Sequence, residues 1–293
     1  MSAGGATVGA APVAVKPAKP SLDRVALLAA PALIYMAIVF ALPVAVLIVR
    51  SFTGPAGFTI SAYTSFLSDG FNWQVIGNTL RVAALTALVC LAIGYPTAVA
   101  LARAKGAVQA LLLLAIILPL SVGVVVKTFA WQIVLRRDGI VAAFMMAIHA
   151  WDEPKLLLFT EPGLVLGAAN VFLPFMILPI YSVLKLIDPN LQAAAATLGA
   201  PPVYRFFKVA LPLAMPGILS GFSIVFSLAT SMYVIPSLLI GDRFQTLATL
   251  TGRAFLLMRD EQLGSTTATI LLVLALAIVA VSAWAVRGKG DSR

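Results

Sequence analysis

The chain has 293 residues, 61% of them hydrophobic and 11% charged, with a mean hydropathy of +1.03. So little charge excludes a soluble domain of this length, which would leave far more at its surface. The net charge of +9 lies mainly between apolar runs, which fits membrane topology and anionic lipid rather than nucleic acid, and the single cysteine, Cys90, excludes an intrachain disulfide or a CxxC site.

Residues 1–24 are rich in Ala, Gly and Pro with a few Lys, and read as a disordered tail. Lys16, Lys19 and Arg24 precede the first apolar run, Val25–Val49. That run is much longer than the roughly 7–15 residues of a secretion signal's core, so it is expected to stay as a first span. Residues 50–80 carry Phe52, Phe58, Tyr63, Phe66, Phe71 and Trp73 together with Gly54, Pro55 and Gly57. They read as an ordered cap rather than a linker.

Two further spans follow, Val82–Ala102 and Val108–Ala130, separated by the short basic turn Arg103-Ala104-Lys105. Each is long enough to cross about 30 Å of hydrocarbon. Residues 131–162 hold Arg136-Arg137-Asp138 and the apolar stretch Gly139–Ala150, flanked by Trp131 and Trp151. That stretch is too short to span and is expected as a surface-lying or buried outer helix anchored by the two Trp. His149 at its end reads as a structural histidine rather than a metal ligand. Gly163–Leu184 is the fourth span.

Between it and the fifth span lies the most informative segment, Asp188–Pro212. Asp188 can cap the first free N–H groups of a helix, and Pro189 fits its first position. Gly199 can close that helix in the left-handed conformation, and Pro201 and Pro202 forbid its continuation. The element is about ten residues, roughly 15 Å, too short to cross a bilayer. Leu191, Ala195 and Leu198 share one face at i, i+4, i+7 spacing. A capped helix held outside the bilayer between two spans is a handle for a soluble partner.

The fifth and sixth spans are Gly217–Gly241 and Thr266–Val286, and residues 287–293 form a second tail. The fold expected is an all-α membrane protein with six transmembrane helices. The basic turn at 103–105 and the basic tail from Arg287 put both termini in the cytoplasm by the positive-inside rule, while most acids fall on the other side. The segment 188–212 is then cytoplasmic.

Energy sources narrow the function. No phosphate-binding GxxxxGK[ST] loop occurs, since Gly288-Lys289 is followed by Gly290 in the C-terminal tail. None of the six spans contains Asp, Glu or His, the groups that ion-coupled transporters place near the midplane. Energy is therefore expected from outside the chain. A channel needs a polar filter ring, and a membrane-embedded enzyme needs converging catalytic groups; both remain as weaker alternatives. Inside the spans, Tyr95, Asn170, Tyr181 and Tyr233 are the candidate residues of a translocation path, Asn170 foremost because a buried amide needs a partner.

At Ala194-Ala195, Gly199, Val209 and Leu211-Pro212 the chain resembles the "EAA…G…I-x-LP" signature of permease subunits of binding-protein-dependent ABC importers, with the required nine residues between Gly199 and Val209. The signature's glutamate is replaced by Ala193, with Gln192 beside it. Pro174 and Pro179 within Val171–Ile180, followed by Tyr181-Ser182, are similar to the spermidine/putrescine type. The resemblance implies that Asp188, Leu191, Gln192, Ala194, Ala195, Leu198, Gly199, Val209, Leu211 and Pro212 belong to a coupling segment seated on a separate cytoplasmic ATPase. It also implies a second permease, an extracytoplasmic solute-binding protein, a bacterial inner-membrane location, and no cofactor bound here, ATP being used by the partner subunit. The implied cargo is a small organic solute of polyamine type.

Overall fold

The computed structural model describes residues 24–54, 57–188 and 190–287, with the side chains of 24–29, 192–194, 243 and 283–287 outside that description. The expected tails, residues 1–23 and 288–293, and the capping Pro189 lie outside the described residues. By compactness the chain forms two units, one up to Val46 and one from Leu47 onward.

The first unit is the bulk of helix α1 (Arg24–Ser51), which continues through Pro31 and Pro43. Its side chains from Leu33 to Leu42 are largely exposed.

In the second unit a two-stranded hairpin, β1 (Thr53–Gly54) and β2 (Gly57–Phe58), precedes α2 (Ser61–Ser68). Phe52 stacks on Phe58 at 5.5 Å and packs on Tyr63 at 5.0 Å, and the Tyr63 hydroxyl lies 2.7 Å from Ser51 Oγ. Arg50 pairs with Glu261 at the start of the last helix. These aromatic contacts lie within the expected cap, but its residues 70–80 belong instead to the helix that begins at Gly70.

Helices α3 (Gly70–Arg103), α7 (Glu161–Leu186) and α10 (Leu211–Thr230) pack mutually and form the core. Buried Ala83, Ala87, Cys90, Gly94, Ala98 and Leu101 repeat at three- and four-residue intervals along α3, and the core they join includes Phe172, Met176 and Ile180 of α7. Gly217 and Gly221, one helical turn apart on α10, let its backbone approach α7. A Cβ at 217 would lie 2.9 Å from Pro179 O, and one at 221 would lie 3.0 Å from Met176 O. This is the small-xxx-small packing of membrane helices. Helix α13 (Glu261–Arg287) packs against α10 and α12 (Leu247–Arg253).

Hydroxyls inside these apolar helices fold back on their own backbone, so few need a partner elsewhere. Thr97, Ser182, Ser223 and Thr230 each donate to the carbonyl four residues earlier, at 2.7–2.9 Å. Thr79 does the same to Val75 O and also accepts from Leu247 N at 2.9 Å, tying α12 to α3.

Three spans differ from the sequence expectation, the second of them in starting at Gly70, twelve residues before Val82. The third run, Val108–Ala130, is not one straight helix: α4 (Gly106–Ile117) leads through a 3-10 turn at Leu118–Ser121, and α5 (Val124–Val134) leaves at a bend of 100°. Pro119 and extended Gly123 interrupt the ladder while hydropathy stays high across the break. The fifth run, Gly217–Gly241, ends as a helix at Thr230; after Ser231–Tyr233 a short helix α11 (Val234–Leu239) follows. Pro236 cannot donate to Met232, which favours a break there. The continuous span instead starts earlier, at Pro202. Among the described residues, five helices are long and apolar enough to cross a membrane, or six if the bent pair counts as one. The apolar stretch Gly139–Ala150 forms α6 (Ile140–Ala147), with Ile140 and Phe144 exposed, and His149 follows it at φ 56°.

Candidate functional site

The segment after α7 forms the expected capped helix. Asp188 Oδ1 accepts from Asn190 N at 2.9 Å, and α8 runs Asn190–Thr197. Gly199 adopts φ +78°; its N–H reaches Ala196 O at 3.0 Å, and Ala200 N reaches Ala195 O at 3.1 Å. This pair of bonds is a Schellman closure, and it requires the left-handed residue that glycine supplies without penalty. Pro201 is extended and Pro202 opens the short helix α9 (Pro202–Arg205).

The exposed face carries the apolar residues. Leu198 is 86% exposed and Leu191 46%, with Ala195 half-buried between them. Leu186, Val203, Tyr204 and Phe207 add to an uncovered apolar surface, rimmed by Lys185, Arg205 and Lys208. The side chains of Gln192 and Ala194 fall outside the described residues.

Phe206–Ala210 is a π-turn, in which Leu211 N–H bonds to Phe206 O. Pro212 explains it: proline has no N–H, and in a regular α-turn its ring would crowd the carbonyl of Lys208. The Leu211-Pro212 pair thus sets the joint between the segment that carries α8 and α9 and helix α10. Val209, Leu211 and Pro212 are half-buried, and Leu211 packs on the core.

A cavity of about 620 Å³ opens beside this joint, lined by Tyr95, Arg103, Leu184, Asp188 and Phe206 among others. The Tyr95 ring meets Phe206 edge-on at 5.8 Å. The Tyr181 hydroxyl accepts from Gln109 Nε2 at 3.0 Å, and Lys185 Nζ lies 5.7 Å from its ring centre.

The candidate path residues therefore do not form one cluster. Tyr95 and Tyr181 lie towards the segment that carries α8 and α9. Asn170 is exposed on α7 rather than packed inside the chain. Helix α7 is apolar nearly all round, so its pattern did not reveal which side faces inward. Tyr233 lines a second cavity of about 220 Å³ with Ser237, Asp242, Gln245, Thr249 and Arg253. Asp242, Gln245 and Arg253 fell within a loop that sequence reasoning left unassigned, and no motif marks them. No group of three or more His, Cys, Asp or Glu among the described residues is placed to hold a metal ion.

Comparison with known proteins follows the same lines. Residues 94–287 match the family described as binding-protein-dependent transport system inner membrane component. The spermidine/putrescine transport system permease protein PotB of Haemophilus influenzae is 32% identical over 223 residues, covering 76% of this chain and 78% of that protein. PotB of Escherichia coli K12 is 30% identical over 223 residues, 76% of this chain and 81% of its own. The fold matches a chain of a bacterial ABC transporter that imports the acidic polysaccharide alginate, with a TM-score of 0.74 at 18% identity, over 91% of this chain and 96% of that one. The chain belongs to the binding-protein-dependent transport system inner membrane component family, and it is a multi-pass inner-membrane permease subunit of an ABC importer rather than an enzyme.

Proposed function

We propose that this permease passes a polyamine and takes its energy from a separate cytoplasmic ATPase docked on α8. The observation that carries the docking is the closed helix Asn190–Thr197, which presents Leu191 and Leu198 to solvent between two core helices. With Ala193 at the signature's glutamate, contact would rest on this apolar ridge and the basic rim rather than on a carboxylate. Both termini would be cytoplasmic, ATP would bind only to the partner, and a second permease would complete the path. A solute-binding protein would deliver cargo at the opposite membrane face.

The polyamine assignment rests on similarity to the two PotB proteins over three quarters of the chain. The helices that cross the membrane offer no midplane carboxylate, so an ammonium would meet aromatic faces such as Tyr95, Tyr181 and Tyr233. Cation–π contacts of about 0.5–2 kcal/mol each suit passage better than retention. The test is to isolate the cognate binding protein and titrate it with polyamines, amino acids and opines. Polyamine binding is expected. Binding of only neutral or anionic solutes would overturn the cargo and leave the permease assignment intact.

Asn170 is the exposed amide of α7, suited to a path shared with the second permease. Asn170→Leu is expected to lower the maximal uptake rate several-fold at unchanged membrane abundance, since an exposed position carries little folding energy. Unchanged uptake kinetics would remove Asn170 from the path.

A further inference from the structure

Two carboxylates outside the segment already described share a cavity at the other end of the core. Helix α3 is 34 residues long, roughly 50 Å at 1.5 Å per residue. Its last residue, Arg103, lines the same cavity as Asp188, which caps α8. The start of α3 therefore lies at the membrane face away from α8. There a cavity of about 370 Å³ is lined by Ser65, Phe66, Asp69, Asn72, Asp260 and Leu263 among others.

Each carboxylate caps a helix with one oxygen and keeps the other. Asp69 Oδ1 accepts from Phe71 N at 2.9 Å at the start of α3, and Asp260 Oδ1 accepts from Leu263 N at 2.9 Å at the start of α13. Among the described residues neither carboxylate joins an ion pair, and no basic residue lines the cavity. The neighbouring Arg50 is engaged by Glu261. Asn72 adds an acceptor from the interior. It is only 9% exposed, and its Nδ2 donates to Phe66 O at 3.0 Å, which fixes the orientation of the amide. Its Oδ1 takes no hydrogen bond among the described residues and is not sealed from solvent. Buried Phe66 and half-buried Leu263 supply apolar surface. Two like charges in one cavity repel, and a cation between them relieves that repulsion. Unpaired carboxylates, an open amide oxygen and apolar surface together select a cation that donates several hydrogen bonds from an aliphatic stem.

We propose that the Asp69–Asn72–Asp260 cavity is a docking notch for one basic side chain, an arginine or lysine, of the solute-binding protein that serves this permease. The proposal rests on the delivery reading for its partner and on the cavity for its chemistry. The face selects the source: this end of the core is where a binding protein arrives, and the ATPase contact belongs to the other end. The cation donates to the free oxygens of Asp69 and Asp260 and to Asn72 Oδ1, and its methylene stem lies along Phe66 and Leu263.

The test titrates the complete importer, in nanodiscs with its own partner subunits, with its fluorescently labelled cognate binding protein. Anisotropy reads binding at low and at physiological salt. The first variant combines Asp69→Asn with Asp260→Asn. Asparagine caps a helix about as well as aspartate, so both helix starts keep their bonds and only the charge is lost. Affinity is expected to fall about tenfold at low salt, and the salt dependence seen in wild type to flatten. Ser65→Lys, at an exposed lining position, fills the notch with the chain's own ammonium and should weaken binding likewise while leaving both caps untouched. Asp152→Asn with Glu153→Gln removes as much charge from the loop ahead of α7 on the same face, and should weaken binding far less. The notch is overturned if the Asp69/Asp260 variant or Ser65→Lys binds as wild type does, or if the Asp152/Glu153 pair weakens binding equally. Failure of the binding protein to engage the wild-type importer would sink the delivery reading and this proposal with it. Normal wild-type binding beside an unaffected Asp69/Asp260 variant would sink the notch alone.

Discussion

Gly199→Val is expected to abolish ATPase copurification and substrate-stimulated hydrolysis while the chain still inserts in the membrane. Gly199 sits at φ +78°, and nothing lies within 4 Å of the place a Cβ would take. The penalty is therefore backbone strain rather than collision. It costs about 1–2 kcal/mol for an ordinary L-residue and is greatest for a β-branched one. That is enough to open the bonds from Gly199 N and Ala200 N that close α8. The direction of Leu198 and the entry into α9 would go with them. A series should follow backbone tolerance: Gly199→Asn nearly normal, Gly199→Ala partly impaired, Gly199→Val uncoupled. Hydrolysis by the copurified complex measures it. A series ordered by side-chain volume at Asn and Ala, or a fully coupled Gly199→Val protein, would show that the left-handed turn is not what positions the helix.

The second large effect is on stability. Gly221→Leu is expected to cause a severe loss of thermal stability and membrane abundance, and Gly217→Val a similar one. A Cβ at 221 would lie 3.0 Å from both Met176 O and Met176 Sδ, and one at 217 would lie 3.0 Å from Ile180 Cα. Methionine can yield, but the backbone of α7 cannot do so without separating the two helices. Overpacking of this kind costs about 1–3 kcal/mol per site. Met176 is also the residue that a Cβ at Gly94 of α3 would meet, at 3.0 Å, so a shift there disturbs the third core helix as well. Heat-induced aggregation of the detergent-solubilised protein measures the loss. Wild-type midpoints for both substitutions would contradict the close helix contact.

Much of this architecture was legible in the sequence because a bilayer imposes length and hydropathy on each span. The borders of α1, α7 and α13 lie near the expected ones for that reason. The ends of α8 were legible by a different route, since Asp188, Gly199 and the Pro201-Pro202 pair act locally and need no tertiary partner. The bend at Leu118–Gly123 and the end of α10 at Thr230 were hidden because apolar residues continue on both sides of each break. There the helix is interrupted by backbone chemistry at Pro119, Gly123 and Pro236, against which hydropathy is silent. The early start of the second span arises from Gly70–Arg81, whose polar Asn72 and Thr79 are satisfied internally, by Phe66 O and by Val75 O. Gly217-x-x-x-Gly221 was a readable packing signal that the span count passed over. The Tyr233 cavity had no such signal, because Gln245 and Asp242 acquire their relation to Tyr233 only through the fold of α11 and α12.

The central claim is that α8 carries the contact through which a separate ATPase drives this permease. Cys90 is buried on α3, so a thiol introduced at an exposed position is the one that reacts. Leu198→Cys stands on the exposed end of α8, and Leu256→Cys, at an exposed position beside the Tyr233 cavity, serves as the control. Crosslinking with a maleimide–benzophenone reagent, attached to the introduced thiol and then photoactivated in membranes of the active importer, should join the Leu198→Cys protein to the ATPase subunit and leave the Leu256→Cys protein free of it. An ATPase crosslink at Leu256→Cys with none at Leu198→Cys would contradict the account.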